Sequence, residues 1–265
     1  MAALLDDDLR ITIHGRTVVD GVQLDLDAGD RLGLIGESGS GKSLTALAVL
    51  GLLPRGSEIT GSIRLDGREL VGRGDVKLAR LRGKRVGMVF QEPATALNPI
   101  RRVGAQIGES LRIHYGFSKR QAHERVVRLA ERVHLPDPEQ ILQRYPHELS
   151  GGQRQRVAIA AAIATGPRLI IADEPTTALD VTVQAGILDL FDREVAESGA
   201  ALLFITHDLA VLHRIAGRAV VLSAGRVVER GAVADLLAAP AHPVTAALAR
   251  AAYATSFVDV PASRS

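Results

Sequence analysis

The chain has 265 residues, of which 46% are hydrophobic and 23% charged, and its formal net charge at pH 7 is +2. This composition is typical of a globular protein, and so balanced a charge gives no reason to expect nucleic acid as a partner. The absence of cysteine excludes disulfides, thiol nucleophiles and Cys-ligated metal centres.

The pattern of apolar residues predicts alternating strands and helices with one helical interruption. Strand periodicity or short apolar runs occur at 9–13, 22–26, 31–35, 85–90, 168–172, 201–205, 218–222 and 226–230, with a hairpin-like stretch from 62. Helical spacing occurs at 44–53, 75–82, 101–115, 118–134, 138–144, 151–165, 181–198 and 232–239, and Pro54 is expected to end the first helix. Repeated strand–helix units indicate an α/β fold with a mainly parallel sheet covered by helices.

Changes in composition and in predicted secondary structure along the chain also predict how it is divided into subdomains. The region 92–148 is helical, rich in arginine and without a clear strand, so we expect an inserted helical subdomain. The flanking parts, 1–91 and 149–240, would form one core, in which the early alternating strands make an antiparallel β subdomain. Residues 241–265 would be a C-terminal extension. The arginines of the insert could face acidic partner residues or lipid headgroups, although most are expected on a solvated helix face.

A glycine-rich loop stands between a predicted strand and a predicted helix. Residues 36–43 match the pattern G-x-x-x-x-G-K-[ST] in full. The glycines let the backbone approach a ligand closely, and the N–H groups of the loop and of the helix start converge on phosphate oxygens. Lys42 would contact the β- and γ-phosphates, and Ser43 could ligate Mg²⁺.

Two carboxylates end a strongly apolar predicted strand. Asp173 and Glu174 follow residues 169–172, and ligands of open α/β folds bind at the carboxyl ends of strands. Asp173 would hold Mg²⁺ through water, and Glu174 would act as general base toward an attacking water. Alone, such a pair could equally cap a helix, but the phosphate loop favours the catalytic interpretation.

A third motif points to a family. Leu149-Ser150-Gly151-Gly152-Gln153 opens a predicted helix and supplies a second helix N-terminus suited to an anion. With this motif the sequence resembles the ATP-binding-cassette (ABC) ATPases, whose signature is LSGGQ, over about residues 9–250. The resemblance implies a P-loop ATPase core with an inserted helical subdomain. It also implies that two nucleotide-binding domains pack head to tail, with each ATP between the phosphate loop of one and the signature loop of the other.

Further motifs of this family follow in order. Gln91 resembles the Q-loop glutamine that senses Mg²⁺ and the γ-phosphate, and Ala178-Leu179-Asp180 resembles the D-loop that crosses the dimer interface. His207 resembles the switch histidine that contacts the γ-phosphate and helps hold Glu174 and water. The resemblance implies catalytic roles for Glu174, His207, Gln91 and Lys42; ATP contacts from Gly36, Glu37, Ser38, Gly39, Ser40, Gly41, Lys42, Ser43, Leu44, Thr45, Ser150, Gly151, Gly152, Gln153 and Asp180; and Mg²⁺ ligation by Ser43, Gln91 and Asp173.

One position departs from the family pattern. Members usually carry an aromatic residue upstream of the phosphate loop that stacks on adenine, whereas residues 13–19 contain none. His14 could stack in its place, Val18 could make an apolar contact, or the segment could be a strand end that faces solvent.

Several segments resemble the ATPases of bacterial peptide and nickel uptake systems. They are 36–43, Phe90–Pro93, Leu97–Pro99, Ala172–Gln184 and His242-Pro243-Val244-Thr245 (HPVT), where the group has Tyr in place of Val244. The expected function is ATP hydrolysis that powers a bacterial importer of peptides or nickel.

The implied partners are two transmembrane permease subunits, a second ATP-binding subunit and, indirectly, a substrate-binding protein, but no nucleic acid. The chain would lie peripherally on the cytoplasmic face of the cell membrane, where region 92–148 receives a short helix of the permease. One alternative is a soluble ABC ATPase that acts in DNA repair or on ribosomes. Another is a scaffold in which ATP binding serves only assembly.

Overall fold

A computed structural model describes residues 2–92, 96–177 and 179–255. Within these ranges the strands are β1 (Ala2–Ile13), β2 (Arg16–Asp27), β3 (Arg31–Gly36), β4 (Ser57–Leu65), β5 (Arg68–Glu69), β6 (Val86–Val89), β7 (Leu169–Asp173), β8 (Ala201–Thr206), β9 (Arg218–Ser223) and β10 (Arg226–Ala232). The α-helices are α1 (Lys42–Leu50), α2 (Asp75–Ala79), α3 (Val103–Ile107), α4 (Glu109–Tyr115), α5 (Lys119–Arg132), α6 (Pro138–Ile141), α7 (Gly151–Ile163), α8 (Val181–Ser198), α9 (Leu209–Ile215), α10 (Val233–Ala238) and α11 (Pro243–Thr255), and residues Pro146–Glu148 form a 3-10 turn. No helix in the described part of the chain is both long enough and apolar enough to cross a bilayer.

The strands form two sheets, which confirms the α/β architecture predicted from the sequence. The larger sheet has the order β10-β9-β3-β8-β7-β6, in which β10 is antiparallel to β9 and the other neighbours are parallel. The smaller sheet is antiparallel, with the order β2-β1-β4-β5. The carboxyl ends of β3, β7 and β8 therefore meet at one edge of the larger sheet, where ligands of such folds bind.

Continuous apolar strands are explained by burial on both faces of the larger sheet. Ile171 and Leu203 pack with the antiparallel sheet and α1 on one face, whereas Ile170 and Phe204 pack with the helices on the other. Phe191 of α8 contacts Phe204 edge to face, with 5.9 Å between the ring centroids. Strands covered on both faces lose the alternation of polar and apolar residues that half-buried strands show.

The first strand begins seven residues earlier than the sequence pattern predicts, at Ala2 instead of residue 9. The pairing with β2 shifts between Asp6 and Leu9, and Asp8 has a φ of +48°. Such a bulge breaks the period of two on which strand prediction depends. Leu4 is nevertheless fully buried, so the acidic run conceals a strand that contributes to the core.

Two helix predictions also need correction. The first helix ends at Leu50, because Gly51 follows in the left-handed conformation with a φ of +63°, so Pro54 plays no part in ending it. The helix predicted over 101–115 is divided at Gly108 into α3 and α4. A Cβ atom at Gly108 would lie 3.1 Å from Val126 Cγ2 of α5, so the two helices pack closely at this glycine.

Candidate active site

The phosphate loop connects β3 to α1 and is shaped by close backbone contacts. A Cβ atom at Gly36 would lie 2.1 Å from the Leu222 carbonyl oxygen of β9. Gly41 has a φ of +103°, and a Cβ atom there would lie 3.0 Å from Val19 Cγ2. Both positions therefore require glycine, which explains two of the fixed letters of the motif.

A turn distant in sequence supports the same loop. The Gly225 N–H, in the turn between β9 and β10, donates to the Ser40 carbonyl oxygen at 3.0 Å, and the Asp20 N–H donates to the Gly225 carbonyl oxygen at 2.8 Å. Gly225 has a φ of +82°, and a Cβ atom there would lie 2.4 Å from the Val18 carbonyl oxygen. Gly225 could not be identified from the sequence, because no motif connects this turn with the phosphate loop.

Lys42 is buried within the phosphate loop, with 6% of its surface exposed. Its Nζ donates to the carbonyl oxygens of Gly36 and Glu37, each at 2.8 Å. Burial lowers the pKa of the ammonium group, whereas the nearby charges of Glu174 and Asp173 act to raise it. The structure thus places the lysine charge next to the two carboxylates that the sequence selects.

The other predicted phosphate-loop residues lie on both sides of this lysine. Glu37, Ser38 and Gly39 are exposed, whereas Ser40 is 3% exposed. Ser43 is exposed and Leu44 half-buried at the start of α1. Thr45 is fully buried, and both its hydroxyl, at 3.0 Å, and its backbone N–H, at 2.9 Å, donate to the Gly41 carbonyl oxygen.

Asp173 is the last residue of β7 and is 5% exposed. Burial raises the pKa of its carboxyl group, a hydrogen bond from Ser43 acts against this rise, and the charge of Glu174 adds to it. Its Oδ1 atom is buried without a hydrogen-bond partner among the described residues. A carboxylate oxygen with unused acceptor capacity next to a hydroxyl is the kind of donor set that Mg²⁺ prefers.

A cation here would also need oxygens from outside the chain. In the part of the chain that the structure describes, no group of three or more His, Asp or Glu side chains could hold a metal ion. Mg²⁺ is typically bound by one or two protein oxygens together with phosphate oxygens and water. Ser43 and Asp173 fit that mode of binding.

Three side chains converge on the Glu174 carboxylate, and two of them, Gln91 and His207, come from distant parts of the chain. Thr177 Oγ1 donates to Glu174 Oε2 at 2.9 Å, His207 Nδ1 lies 3.2 Å from the same oxygen, and Gln91 Nε2 donates to it at 3.4 Å. The backbone is held as well, because the Glu174 N–H donates to the Ile205 carbonyl oxygen at 2.9 Å. Glu174, Gln91 and His207 are thus brought together.

Two features favour a functional role for Glu174. Its φ is +46°, a conformation that is uncommon for residues other than glycine and that clusters at active sites. Its side chain is 14% exposed, whereas that of His207 is 57% exposed. A carboxylate that is held by several donors yet reachable from solvent is suited to orient and deprotonate a water molecule.

Thr177 is a residue that the sequence analysis missed. The available signal was its position three residues after Glu174, in a turn where the Thr177 N–H donates to the Glu174 carbonyl oxygen at 3.3 Å. A threonine three residues after a glutamate is common in loops, so the spacing alone does not identify the Thr177 hydroxyl as a functional group. The position of His207 is fixed by its neighbours, because Asp208 caps α9 by accepting from the Ala210 N–H at 2.8 Å.

The signature and D-loop residues form a separate part of the surface. Ser150 Oγ accepts from the Gln153 N–H at 3.2 Å, and Gln153 Oε1 accepts from the Ser150 N–H at 3.0 Å, which forms a capping box at the start of α7. Asp180 caps α8 by accepting from the Val183 N–H at 2.9 Å. A Cβ atom at Gly152 would lie 2.8 Å from Val183 Cγ1, so the starts of the two helices pack closely.

These residues do not meet the phosphate loop within one chain. Among the described residues, no hydrogen bond or ion pair joins 150–153 or Asp180 to 36–45 or to Glu174. Ala178 of the D-loop and Pro93, which follows Glu92 after the Q-loop glutamine, lie outside the described residues.

The two candidates for a contact with adenine differ in location. Val18 lies against the phosphate loop, since its carbonyl oxygen would be 3.2 Å from a Cβ atom at Gly41. The His14 ring lies against Gly56, where a Cβ atom would be 2.7 Å from His14 Cε1. Val18 is half-buried and His14 is exposed. Of the two candidates, it is therefore the Val18 backbone that lies beside the phosphate loop.

Comparisons with known proteins agree with this geometry. A family model described as ABC transporter matches residues 19–177. A putative peptide import ATP-binding protein of Brucella ovis is 50% identical over 239 residues, which cover 88% of this chain and 71% of that protein. The oligopeptide transport ATP-binding protein OppD of Lactococcus lactis subsp. cremoris is 48% identical over 230 residues, covering 86% of this chain and 68% of OppD.

Solved structures show the same fold. A dimeric, post-hydrolysis state of the ATP-binding cassette MJ0796 bound to ADP and Pi has a TM-score of 0.77 and 26% identity, covering 87% of this chain and 98% of that one. The protein cbiO1 of Clostridium perfringens, part of the transporter complex cbiONQ, has a TM-score of 0.76 and 25% identity, covering 90% and 91% of the two chains.

Proposed function

Because the chain belongs to the ABC transporter family, we propose that it is the ATP-hydrolysing subunit of an ABC importer whose transported substrates are peptides. The observation that carries the proposal is the convergence of Gln91, Thr177 and His207 on Glu174, next to an intact phosphate loop. The peptide class is supported by the relatives named above, which are described as peptide import or oligopeptide transport ATP-binding proteins. The names of these two relatives mention neither nickel nor DNA repair nor ribosomes.

The phosphate loop would bind ATP through its backbone N–H groups and through Lys42. The ammonium group donates hydrogen bonds to two carbonyl oxygens of the loop. When ATP binds, it would donate to β- and γ-phosphate oxygens instead. Ser43 and Asp173, with Gln91, would hold Mg²⁺, which when bound neutralises charge on the phosphates. Val18 would provide an apolar contact near the base.

Glu174 would act as the general base of hydrolysis. Thr177 and Gln91 donate to Oε2 and His207 lies beside it, so these side chains fix the carboxylate. Oε1, to which no described residue donates, is left available for a water molecule. An ionised carboxylate that is oriented in this way accepts the proton of the attacking water as the γ-phosphate is transferred.

The complete site would require a second ATP-binding subunit in head-to-tail contact. Ser150 and Asp180 are exposed and do not reach the phosphate loop of their own chain, and the MJ0796 cassette, a structural neighbour, is dimeric. Val181, at the start of α8 beside Asp180, is 81% exposed, which suits a contact with a partner. The signature N–H groups would then approach an ATP that is held by the partner's phosphate loop.

An apolar groove offers the connection to the permease subunits. It has a volume of about 330 Å³, and its lining includes Phe90, which directly precedes Gln91, and Leu97 of the helical region. Leu52 and Phe90 are 42% and 38% exposed there, and Leu97 and Ala161 line the same groove. We infer that a short cytoplasmic helix of the permease docks here, which would make the chain a peripheral subunit on the cytoplasmic face of the membrane.

The test is the composition and response of the native complex. Extraction of membranes with a mild detergent should yield the chain with two permease subunits and a second ATP-binding subunit. Addition of the substrate-binding protein with a mixture of tri- to pentapeptides should raise the ATPase rate. Recovery of the chain without any membrane subunit, or an ATPase rate that peptides leave unchanged, would contradict the proposal.

A further inference from the structure

A second cavity lies at the edge of the larger sheet opposite to the candidate active site. Its volume is about 450 Å³. Arg85 directly precedes β6 and Arg168 directly precedes β7, and both residues line the cavity. The carboxyl ends of these parallel strands lead instead to Gln91 and Asp173. The cavity is therefore separate from the site proposed for ATP.

Backbone contacts fix three arginines around this cavity. The Arg168 N–H donates to the Arg85 carbonyl oxygen at 2.9 Å, which holds the two residues side by side. Arg68 follows the two-residue turn Asp66–Gly67, in which φ is +49° and +73°, and it pairs with Leu65 across the hairpin. An Asp-Gly turn with two positive φ angles is typical of tight hairpins. The arginines thus come from strand starts and a tight turn.

The charges that line the cavity are not balanced. Arg85 Nη1 lies 3.7 Å from Asp66 Oδ2, and Asp66 is the one carboxylate of the lining against three arginines, which gives a net charge of +2. Within residues 2–92, 96–177 and 179–255, no ion pair or side-chain hydrogen bond engages the guanidinium group of Arg68 or of Arg168. Two guanidinium groups are therefore available to a ligand.

The lining indicates the class of ligand. Guanidinium groups bind phosphate through paired N–H donors, and they are the side chains that proteins use most for planar recognition of such anions. Leu65 and Leu81 add apolar surface, and the volume lies within the range of small-molecule sites. We propose that this cavity binds a small phosphorylated molecule, with Arg68 and Arg168 on the phosphate and the two leucines on its carbon part.

Pyrophosphate is a suitable probe, because it carries phosphate charge without a nucleoside. The full chain with Lys42→Ala is titrated by calorimetry at low ionic strength, so that the phosphate loop contributes little and contributes equally in every variant. In that background, Arg68→Gln with Arg168→Gln should weaken pyrophosphate binding at least about tenfold, because two charge-assisted contacts are lost. The control combines Arg128→Gln with Arg230→Gln, which removes the same charge from exposed positions outside the cavity and should change binding less than about twofold.

Three results would overturn the proposal. Equal weakening in the two double variants would mean that only overall charge matters. Absence of pyrophosphate binding to the Lys42→Ala chain would show that the cavity is not a phosphate-binding site. Binding to phosphatidylglycerol vesicles that depends on Arg68 and Arg168, without binding of pyrophosphate, would identify a lipid headgroup instead of a small molecule. None of these experiments measures ATP hydrolysis, so their results do not depend on whether the proposed function is correct.

Discussion

Replacing Thr177 by valine removes one donor from the Glu174 carboxylate while side-chain volume stays nearly constant. The Thr177 hydroxyl makes the shortest of the three contacts to Oε2, at 2.9 Å against 3.2 Å for His207 and 3.4 Å for Gln91. A hydrogen bond to a charged group contributes about 1.5–3 kcal/mol. Because Thr177 is exposed, the lower end applies, which corresponds to a fall in kcat of about tenfold.

The assay is steady-state ATP hydrolysis by the assembled complex at saturating Mg²⁺ and ATP. The KM for ATP should change less than kcat, because no contact joins Thr177 to the phosphate loop among the described residues. Thr177→Ser is the matched control, since it keeps the hydroxyl and should retain kcat within about twofold. In a Glu174→Gln background, Thr177→Val should have no further effect, because residues that act as a unit are not additive.

Two outcomes would refute this reasoning. If Thr177→Val and Thr177→Ser lowered kcat equally, the hydroxyl would not be the group that matters. If Thr177→Val kept its full effect in the Glu174→Gln background, Thr177 would act through something other than that carboxylate. Thermal unfolding of each variant separates these cases from loss of the fold.

Three further predictions concern the same chain. Glu174→Gln should leave ATP binding intact and reduce turnover by at least about 100-fold, since the amide cannot accept the proton of water; near wild-type turnover of the complex would rule out this base. Lys42→Arg should weaken binding of a fluorescent ATP analogue about tenfold or more, because the planar guanidinium cannot replace an ammonium held between two carbonyl oxygens at 2.8 Å; an unchanged Kd would contradict this. Burial alone would raise the pKa of Glu229, but hydrogen bonds from the N–H groups of Ala241 and His242 lower it below the ordinary 4.5. The folded-state pKa is depressed, so its stabilisation is present above pH 4.5 and is lost as pH falls through the folded pKa. Glu229→Gln should therefore lower the Tm at pH 7 more than at pH 3, and an equal decrease at both would refute the assignment.

Much of the candidate site can be predicted because its chemistry is local in sequence. The phosphate loop needs its glycines, lysine and serine within a few residues, and β7 places Asp173 and Glu174 directly after an apolar run. The convergence of Gln91 and His207 on Glu174 was different. These residues are far apart along the chain, so the expectation came from family resemblance, and the folded sheet supplies the physical reason.

The parts that were not predictable depend on geometry that leaves little trace in the sequence. The start of β1 was concealed by the bulge at Asp8, which breaks the alternation of polar and apolar residues. The end of α1 depends on Gly51, which adopts a left-handed conformation. In the sequence, Gly51 and Pro54 are both possible signals for the end of this helix. The His242-Pro243-Val244-Thr245 element is held by a distant residue, because Glu229 accepts from the Ala241 and His242 N–H groups before α11.

The contact of Gly225 with the phosphate loop bears on how inherited or engineered variants of such proteins are judged. Gly225 belongs to no recognisable motif and follows the phosphate loop by more than 180 residues. A search for substitutions within known motifs would therefore classify Gly225→Ala as neutral. The added methyl group would lie 2.4 Å from the Val18 carbonyl oxygen, in a backbone conformation that alanine rarely adopts. Genetic screens for loss of transport should therefore recover substitutions at Gly225 as well as substitutions in the loop itself.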